Sequence, residues 1–172
     1  MAFIDYPFAD RLPSLPWLPP WALEVIPAEV LTTDRRAALR AERRRAIPLM
    51  KYVAAGHGTL VEEAAEEYAV VKSDLWRSQL LAVRVRGASM APVIPDGAVI
   101  GLDLGDRQVV SGRIYVIRTS DGGHAVKQLL RDRRSIWCHS LNRSLDAPPF
   151  LLKAEVGEPL PIIGRVVWVW EG

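Results

Sequence analysis

The chain has 172 residues, a formal net charge of +2, and 49% apolar against 24% charged residues. This length suits one domain with a full core and a shorter appendage, and so small a net charge does not by itself indicate nucleic-acid binding. The single cysteine, Cys138, excludes an internal disulfide and a cysteine metal cluster, so we expect no metal, no cofactor and a cytoplasmic location. No apolar run reaches the roughly 20 residues that span a bilayer, and the N-terminus lacks the pattern of a signal peptide, so we expect neither secretion nor membrane insertion.

The first 27 residues form a proline-rich segment. They contain six of the thirteen prolines, with Trp17 and Trp21 between them. Closely spaced prolines exclude long helices and favour extended or turn conformations. The pattern therefore predicts an arm, whose aromatic side chains pack on the body of the protein or on a second subunit, or bind a partner.

A basic helix is predicted next. Thr32 or Thr33 can cap a helix from Asp34 to about Ala46, with Pro48 as the stop. Six arginines crowd into this segment: Arg35, Arg36, Arg40, Arg43, Arg44 and Arg45. They could contact phosphates, as in DNA, or form a solvated face that answers the helix dipole. A helix-turn-helix needs a second helix, which the pattern before residue 48 does not provide, and this argues against DNA binding by the chain alone.

The rest of the chain, 47–172, reads as a compact, mainly β domain that follows an N-terminal unit of residues 1–46. Short segments rich in branched and aromatic residues alternate with turn signals, as expected of a mainly β fold. One acidic segment, 60–68, favours a helix instead. The predicted strands are 47–52, 81–86, 98–102, 113–118, 124–129, 135–139 and 162–170.

Two residues in this domain suggest a nucleophile and its base. Ser89 follows a predicted strand and Gly87, where a turn would expose its hydroxyl, and Met90 and Pro92 would shape that turn. A serine hydroxyl needs a group that takes its proton, and a neutral amine can do so. Lys127 lies in a predicted strand in apolar company, where loss of hydration would lower its pKa.

The order and spacing of several short motifs carry a family resemblance over about 47–170. These motifs are Gly87-Ala88-Ser89-Met90-Ala91-Pro92, Ile94-Pro95-Asp96-Gly97, Tyr115-Val116-Ile117, Ala125-Val126-Lys127, Ser140-Leu141-Asn142 and Ile163-Gly164-Arg165-Val166-Val167. Together they resemble the self-cleaving peptidase domain of LexA, UmuD and the lambdoid phage repressors. The resemblance implies a LexA-like β fold and a Ser89–Lys127 dyad. It also implies cleavage of the chain's own Ala55–Gly56 bond, which lies 33 positions before Ser89.

The same resemblance implies partners. In that family the domain dimerises, and an activated RecA filament on single-stranded DNA promotes cleavage. The closing strand, 166–170, is a candidate for the dimer interface, and burial in the core is the alternative.

The front of the chain departs from LexA and the repressors, because it offers a proline-rich arm and one helix where they carry a helix-turn-helix. The layout is closer to that of UmuD. The target of a cleavage switch is therefore open between transcription, as in an SOS or phage repressor, and damage-tolerant replication. Two rival readings are a signal peptidase, whose membrane anchor is missing here, and a regulator that keeps the fold only as a dimerisation module.

Overall fold

The computed structural model describes residues 15–53 and 65–172. The described chain is mainly β, as predicted, with one α-helix and one sheet of eleven strands. The strands are β1 Trp17–Leu18, β2 Glu24–Pro27, β3 Arg44–Val53, β4 Glu67–Lys72, β5 Leu80–Val85, β6 Val99–Asp103, β7 Ile114–Arg118, β8 His124–Asp132, β9 Ser135–His139, β10 Phe150–Leu151 and β11 Ile162–Trp170. The helix α1 is Thr33–Ala41, and single 3-10 turns occupy Pro20–Ala22, Ala28–Val30 and Ser73–Leu75.

The strands form one continuous hydrogen-bonded path. Its order is β10-β9-β8-β7-β11-β6-β5-β3-β4-β2, and β1 adds to β11 in parallel. The long strand β11 pairs with β7 through its first half and with β6 through its second half. Short hairpins join β7 to β8 and β8 to β9, and both pairs are antiparallel.

Strand β3 changes partners along its length, and this positions the candidate site. Its first half, Arg44 to Leu49, pairs antiparallel with β4. From Leu49 onward it pairs in parallel with β5, with Val53 opposite Val85. The last residues of β3 and β5 therefore lie side by side at the same end of the sheet.

Buried residues alternate along β9 and most of β11, whereas β6 and β7 are each buried over four consecutive residues, as strands covered on both faces are. The largest cluster of the core joins β5, β6, β7 and β11 to the turn after β5, where Met90 and Ile94 are buried. A second cluster centres on Trp168, and a third packs Tyr115, Leu129 and Cys138 together. The prediction that Cys138 is a core residue is confirmed.

The basic helix is correctly placed at its start but ends earlier than predicted. The Thr32 hydroxyl caps α1 by accepting a hydrogen bond from the Arg35 N–H. The helix stops at Ala41, because Arg43 takes a left-handed φ of 56° and the chain then enters β3 opposite β4. Pro48, expected to stop the helix, lies inside β3.

The acidic segment predicted as a helix is wrong in its described part. Glu67 and Tyr68 open strand β4, because this stretch pairs with β3 on one side and with β2 on the other. Residues 60–64 of that segment lie outside the described residues.

The N-terminal segment joins the sheet through β1 and β2. Its two tryptophans remain well exposed, with 46% of Trp17 and 74% of Trp21 accessible. The sequence left two roles for the closing strand, burial in the core and a dimer contact. In the structure this strand lies in the middle of the sheet, with Val166, Trp168 and Val169 buried.

Candidate active site

Ser89 lies in a tight turn directly after β5, as the sequence predicts. Gly87 opens the turn with a φ of 98°, a left-handed conformation that favours glycine, and its N–H donates to the Asp96 carboxylate at 2.7 Å. Met90, only 1% exposed, anchors the turn in the core. The peptide bond before Pro92 is cis. The Ser89 side chain itself is half-exposed, so its hydroxyl lies close to the surface of the domain.

Asn142, in the loop after β9, holds the same turn from the other side. Its backbone N–H donates to the Ser89 carbonyl at 2.9 Å, and its side-chain amide donates to the Ala88 carbonyl at 2.8 Å. Its side-chain oxygen accepts hydrogen bonds from the Ser144 N–H and hydroxyl. In the sequence Asn142 stands out only as part of the Ser140-Leu141-Asn142 motif; the structure shows it joining that loop to the Ser89 turn.

Lys127 lies in β8, opposite Tyr115 of β7 and on the same face as Ala125 and Leu129. Burial lowers the pKa of its amine below the ordinary value of 10.5, the direction expected for a lysine in apolar surroundings. The amine remains half-buried, so it keeps a route to the surface.

The nearby Cys138 thiol does not counter this effect near neutral pH. A thiolate there would raise the pKa of Lys127, but burial raises the pKa of the Cys138 thiol to about 12, although the lysine charge opposes that rise. The thiol therefore stays protonated while the amine titrates. Loss of hydration is then the effect that sets the basicity of Lys127.

Ser140 connects the amine to the loop that holds the nucleophile turn. The Lys127 Nζ donates a hydrogen bond to the Ser140 Oγ at 2.9 Å. Ser140 lies two residues before Asn142, which binds the Ser89 turn. The structure therefore links both predicted catalytic residues through one short segment, 140–142. A hydroxyl next to the amine fixes the direction of one N–H and leaves the nitrogen lone pair to point elsewhere.

The predicted scissile bond, Ala55–Gly56, lies outside the described residues. The nearest described residue is Val53, two positions before Ala55, and it pairs with Val85, four positions before Ser89. Strand β3 also approaches β8, the strand that carries Lys127.

Burial favours the neutral form of the two described histidines. Burial lowers the pKa of both His124 and His139, and the charge of Arg118 lowers that of His124 further. Within residues 15–53 and 65–172, no three His, Cys, Asp or Glu side chains come together in a possible metal site. No helix in those same ranges is long and apolar enough to cross a membrane.

Comparison with known proteins identifies the family of this chain. The family described as Peptidase S24-like matches residues 48–167. The chain is also similar to the repressor protein CI of Enterobacteria phage phi80, with 37% identity over 92 residues. That alignment covers 53% of this chain and 36% of the phage protein, so the chain spans only about a third of its relative's length. The match to most of the described β domain shows that this chain belongs to the Peptidase S24-like family, the group in which its resemblance to LexA, UmuD and the phage repressors places it.

Proposed function

We propose that this chain is a self-cleaving regulatory protein of the LexA and UmuD type, which cuts its own Ala55–Gly56 bond. Ser89 is the nucleophile and Lys127 the general base. The observation that carries the proposal is the connection between them. Burial lowers the pKa of the Lys127 amine, and this amine donates a hydrogen bond to Ser140. Asn142, two residues after Ser140, donates a hydrogen bond to the Ser89 turn.

Breaking the peptide bond needs two proton transfers through the same amine, and hydrolysis of the ester that follows repeats them. The neutral Lys127 amine takes the Ser89 proton as the oxygen attacks the Ala55 carbonyl carbon, giving a tetrahedral intermediate and an ammonium. The ammonium then returns the proton to the Gly56 nitrogen as the C–N bond breaks, leaving an ester between Ser89 and Ala55. Water hydrolyses this ester with Lys127 again as base, which releases Ser89 and a carboxylate on Ala55.

The paired ends of β3 and β5 support an intramolecular substrate. Ala55 is tethered two residues beyond Val53, and Ser89 follows Val85 by four residues. A tether of this length keeps the scissile bond at a high effective concentration beside the nucleophile. Small residues at Ala54, Ala55 and Gly56 suit entry into a narrow cleft.

Regulation then requires that the segment after Val53 react only when a signal favours the cleavable conformation. By resemblance, a RecA-type filament supplies that signal and the protein works as a homodimer in transcriptional control, the SOS response to DNA damage included. The phage relative named as a repressor favours transcription over replication as the regulated process.

Incubation of the purified chain at increasing pH tests the proposal. We expect fragments that end at Ala55 and begin at Gly56, identified by intact mass, at a rate that rises with pH because more of the Lys127 amine is neutral. Ser89→Ala and Lys127→Ala should abolish the fragments, whereas the exposed-site controls Ser78→Ala and Lys153→Ala should not. An intact chain at every pH, with and without a RecA filament, would instead assign the fold to a non-cleaving dimerisation role.

A further inference from the structure

A pocket outside the peptidase site gathers four arginines. It lies between α1 and the start of β3, has a volume of about 330 Å³, and is lined by Arg36, Arg40, Arg44, Arg45 and Trp76. We call it the arginine pocket. Strand β5 joins β3 only from Leu49 onward, so within the described residues the β3 edge before that point has a strand partner on one side only. The helix and the Trp76 ring flank this open edge.

The positive charge in the pocket is only partly neutralised by carboxylates. Arg44 pairs with Glu24 at 3.0 Å and with Glu42 at 3.8 Å. Arg36, Arg40 and Arg45 form no ion pair with any carboxylate in the described part of the chain.

One guanidinium nitrogen is both buried and unsatisfied. The Arg45 Nη1 is hidden from solvent and has no hydrogen-bond partner among residues 15–53 and 65–172. A buried donor on a charged group without a partner is costly, so a native structure normally supplies an acceptor. Because this atom is closed off from water, an anion in the pocket would reach it only after a shift of the Arg45 side chain; the four arginines that line the pocket carry the case for an anion site.

Aromatic contacts orient two of these guanidinium groups. Arg45 lies over the Trp76 ring at 5.9 Å and Arg36 over the Tyr68 ring at 5.3 Å. A guanidinium attracted to the face of a ring keeps its N–H groups, which can form paired hydrogen bonds with an oxyanion. The alternative, that these arginines form a solvated helix face, does not account for Arg44 and Arg45, because they belong to β3 and not to the helix.

We propose that the arginine pocket binds the phosphate of a nucleotide, with the base against Trp76. Planar, fixed arginine donors match the oxygens of a phosphate. Trp76 is 43% exposed, so part of its ring is open to a base. The volume lies at the lower end of the range for small-ligand sites, about 300–1,000 Å³, and suits one nucleotide unit. The nucleotide could be free or part of a single strand, and the site does not depend on self-cleavage.

Binding to the full-length protein tests this proposal. A fluorescently labelled oligothymidine gives affinity by anisotropy at several salt concentrations, and AMP and inorganic phosphate serve as competitors. Arg40→Gln should weaken oligonucleotide binding about tenfold and reduce the slope of log affinity against log salt by about 1. Trp76→Ala should weaken binding of the oligonucleotide and AMP at least about fivefold and weaken binding of inorganic phosphate less, because phosphate loses only the contact that orients Arg45 whereas the nucleotides also lose base stacking.

Arg35→Gln is the matched control, since Arg35 lies on the same helix, outside the pocket, and pairs with Glu42 at 3.9 Å. It makes the same change in net charge and should alter binding less than about twofold. Much tighter binding of the oligonucleotide than of AMP would identify a strand as the source, and equal binding a free nucleotide. Equal losses in Arg40→Gln and Arg35→Gln would overturn the proposal in favour of diffuse charge attraction. Competition by phosphate as strong as by AMP, with Trp76→Ala unchanged, would overturn the nucleotide assignment.

Discussion

Replacing Ser140 with alanine should slow self-cleavage by releasing the Lys127 amine. The hydroxyl accepts a hydrogen bond from the Lys127 Nζ at 2.9 Å. Hydrogen bonds that involve a charged group contribute about 1.5–3 kcal/mol, and half-exposed partners such as these contribute less, so we assign this one about 1 kcal/mol. If that energy orients the amine in the transition state, the rate constant falls about fivefold.

The pH dependence separates this positioning role from a general structural defect. An acceptor beside the amine stabilises the ammonium more than the neutral form, so its removal should lower the pKa of Lys127 further. We therefore expect the rate of Ser140→Ala to reach half of its plateau at a lower pH than the rate of the wild-type chain, while the plateau itself is lower. A defect confined to packing would lower the plateau without moving the midpoint.

Gel electrophoresis of samples taken over time, at pH values between about 7 and 11, measures how fast the full-length chain disappears. The resulting curve gives both the plateau rate and the pH at which the rate is half of the plateau. Ser140→Thr keeps a hydroxyl and should restore most of the rate. Ser78→Ala is the control, because Ser78 is an exposed serine outside the loop that joins Lys127 to the Ser89 turn. A rate–pH curve of Ser140→Ala that overlays that of the wild-type chain would refute the role assigned to this hydroxyl.

Three further substitutions probe the site and its support. Because the pKa of Lys127 is lowered on folding, the unfolded chain binds more protons than the folded chain between the folded-state pKa and 10.5. The free energy of unfolding of the wild-type chain therefore rises with pH in that range. Lys127→Met should have a higher free energy of unfolding than wild type in urea at pH 7, and the difference should shrink toward pH 10.5. Asn142→Ala removes the side-chain bond to the Ala88 carbonyl and should cost about 1 kcal/mol in urea unfolding and slow cleavage as well. A Cβ at Gly101 would overlap the Trp168 ring, so Gly101→Ala should cost about 1–3 kcal/mol, measured as a lower Tm.

Each of these substitutions has a control or an outcome that contradicts it. Lys153→Met replaces an exposed lysine and should leave the pH dependence of stability unchanged. Gly105→Ala adds a Cβ no closer than 3.3 Å to its neighbours and should change Tm little. Asn142→Ala with a wild-type cleavage rate would show that the Ser89 turn holds its shape without this bond.

The strands were predictable where local sequence and tertiary pairing agree. The bounds of β9 and β11 match the predicted 135–139 and 162–170, because apolar, β-prone residues there are bracketed by clear turn signals. The end of α1 was not predictable in the same way. Residues 42–46 are compatible with a helix by propensity, and only the distant β4 strand draws Arg44 and Arg45 into the sheet. Pro48 is tolerated there because, among residues 15–53 and 65–172, β3 has a strand partner on one side only at that point.

The role of Ser140 was within reach of the sequence but required the hairpin register. The turn at Arg133 and Arg134 sets Asp132 opposite Ser135, and the same register brings Gln128 opposite His139. One further step pairs Lys127 with Ser140. The Ser89 and Lys127 motifs can be recognised in the sequence from the residue types and their spacing. The Ser140 hydroxyl can be recognised as a partner of the lysine only from the pairing register of β8 and β9. The bond from Asn142 to the Ser89 turn, 54 positions away along the chain from Ala88, depends on the whole sheet and has no local signal.

Cleavage between Ala55 and Gly56 would cut the chain without separating its parts. The N-terminal product would contain α1 and the strands β1, β2 and β3. These strands pair with strands of the other product: β1 with β11, β2 with β4, and β3 with both β4 and β5. Since those strands share a buried core, we expect the two products to co-elute in native gel filtration and to separate only in denaturant. The arginine pocket would then survive cleavage, because its arginines and Trp76 come from different products that the sheet still holds together. Fragments that separate under native conditions would contradict this and make the pocket a feature of the uncut chain alone.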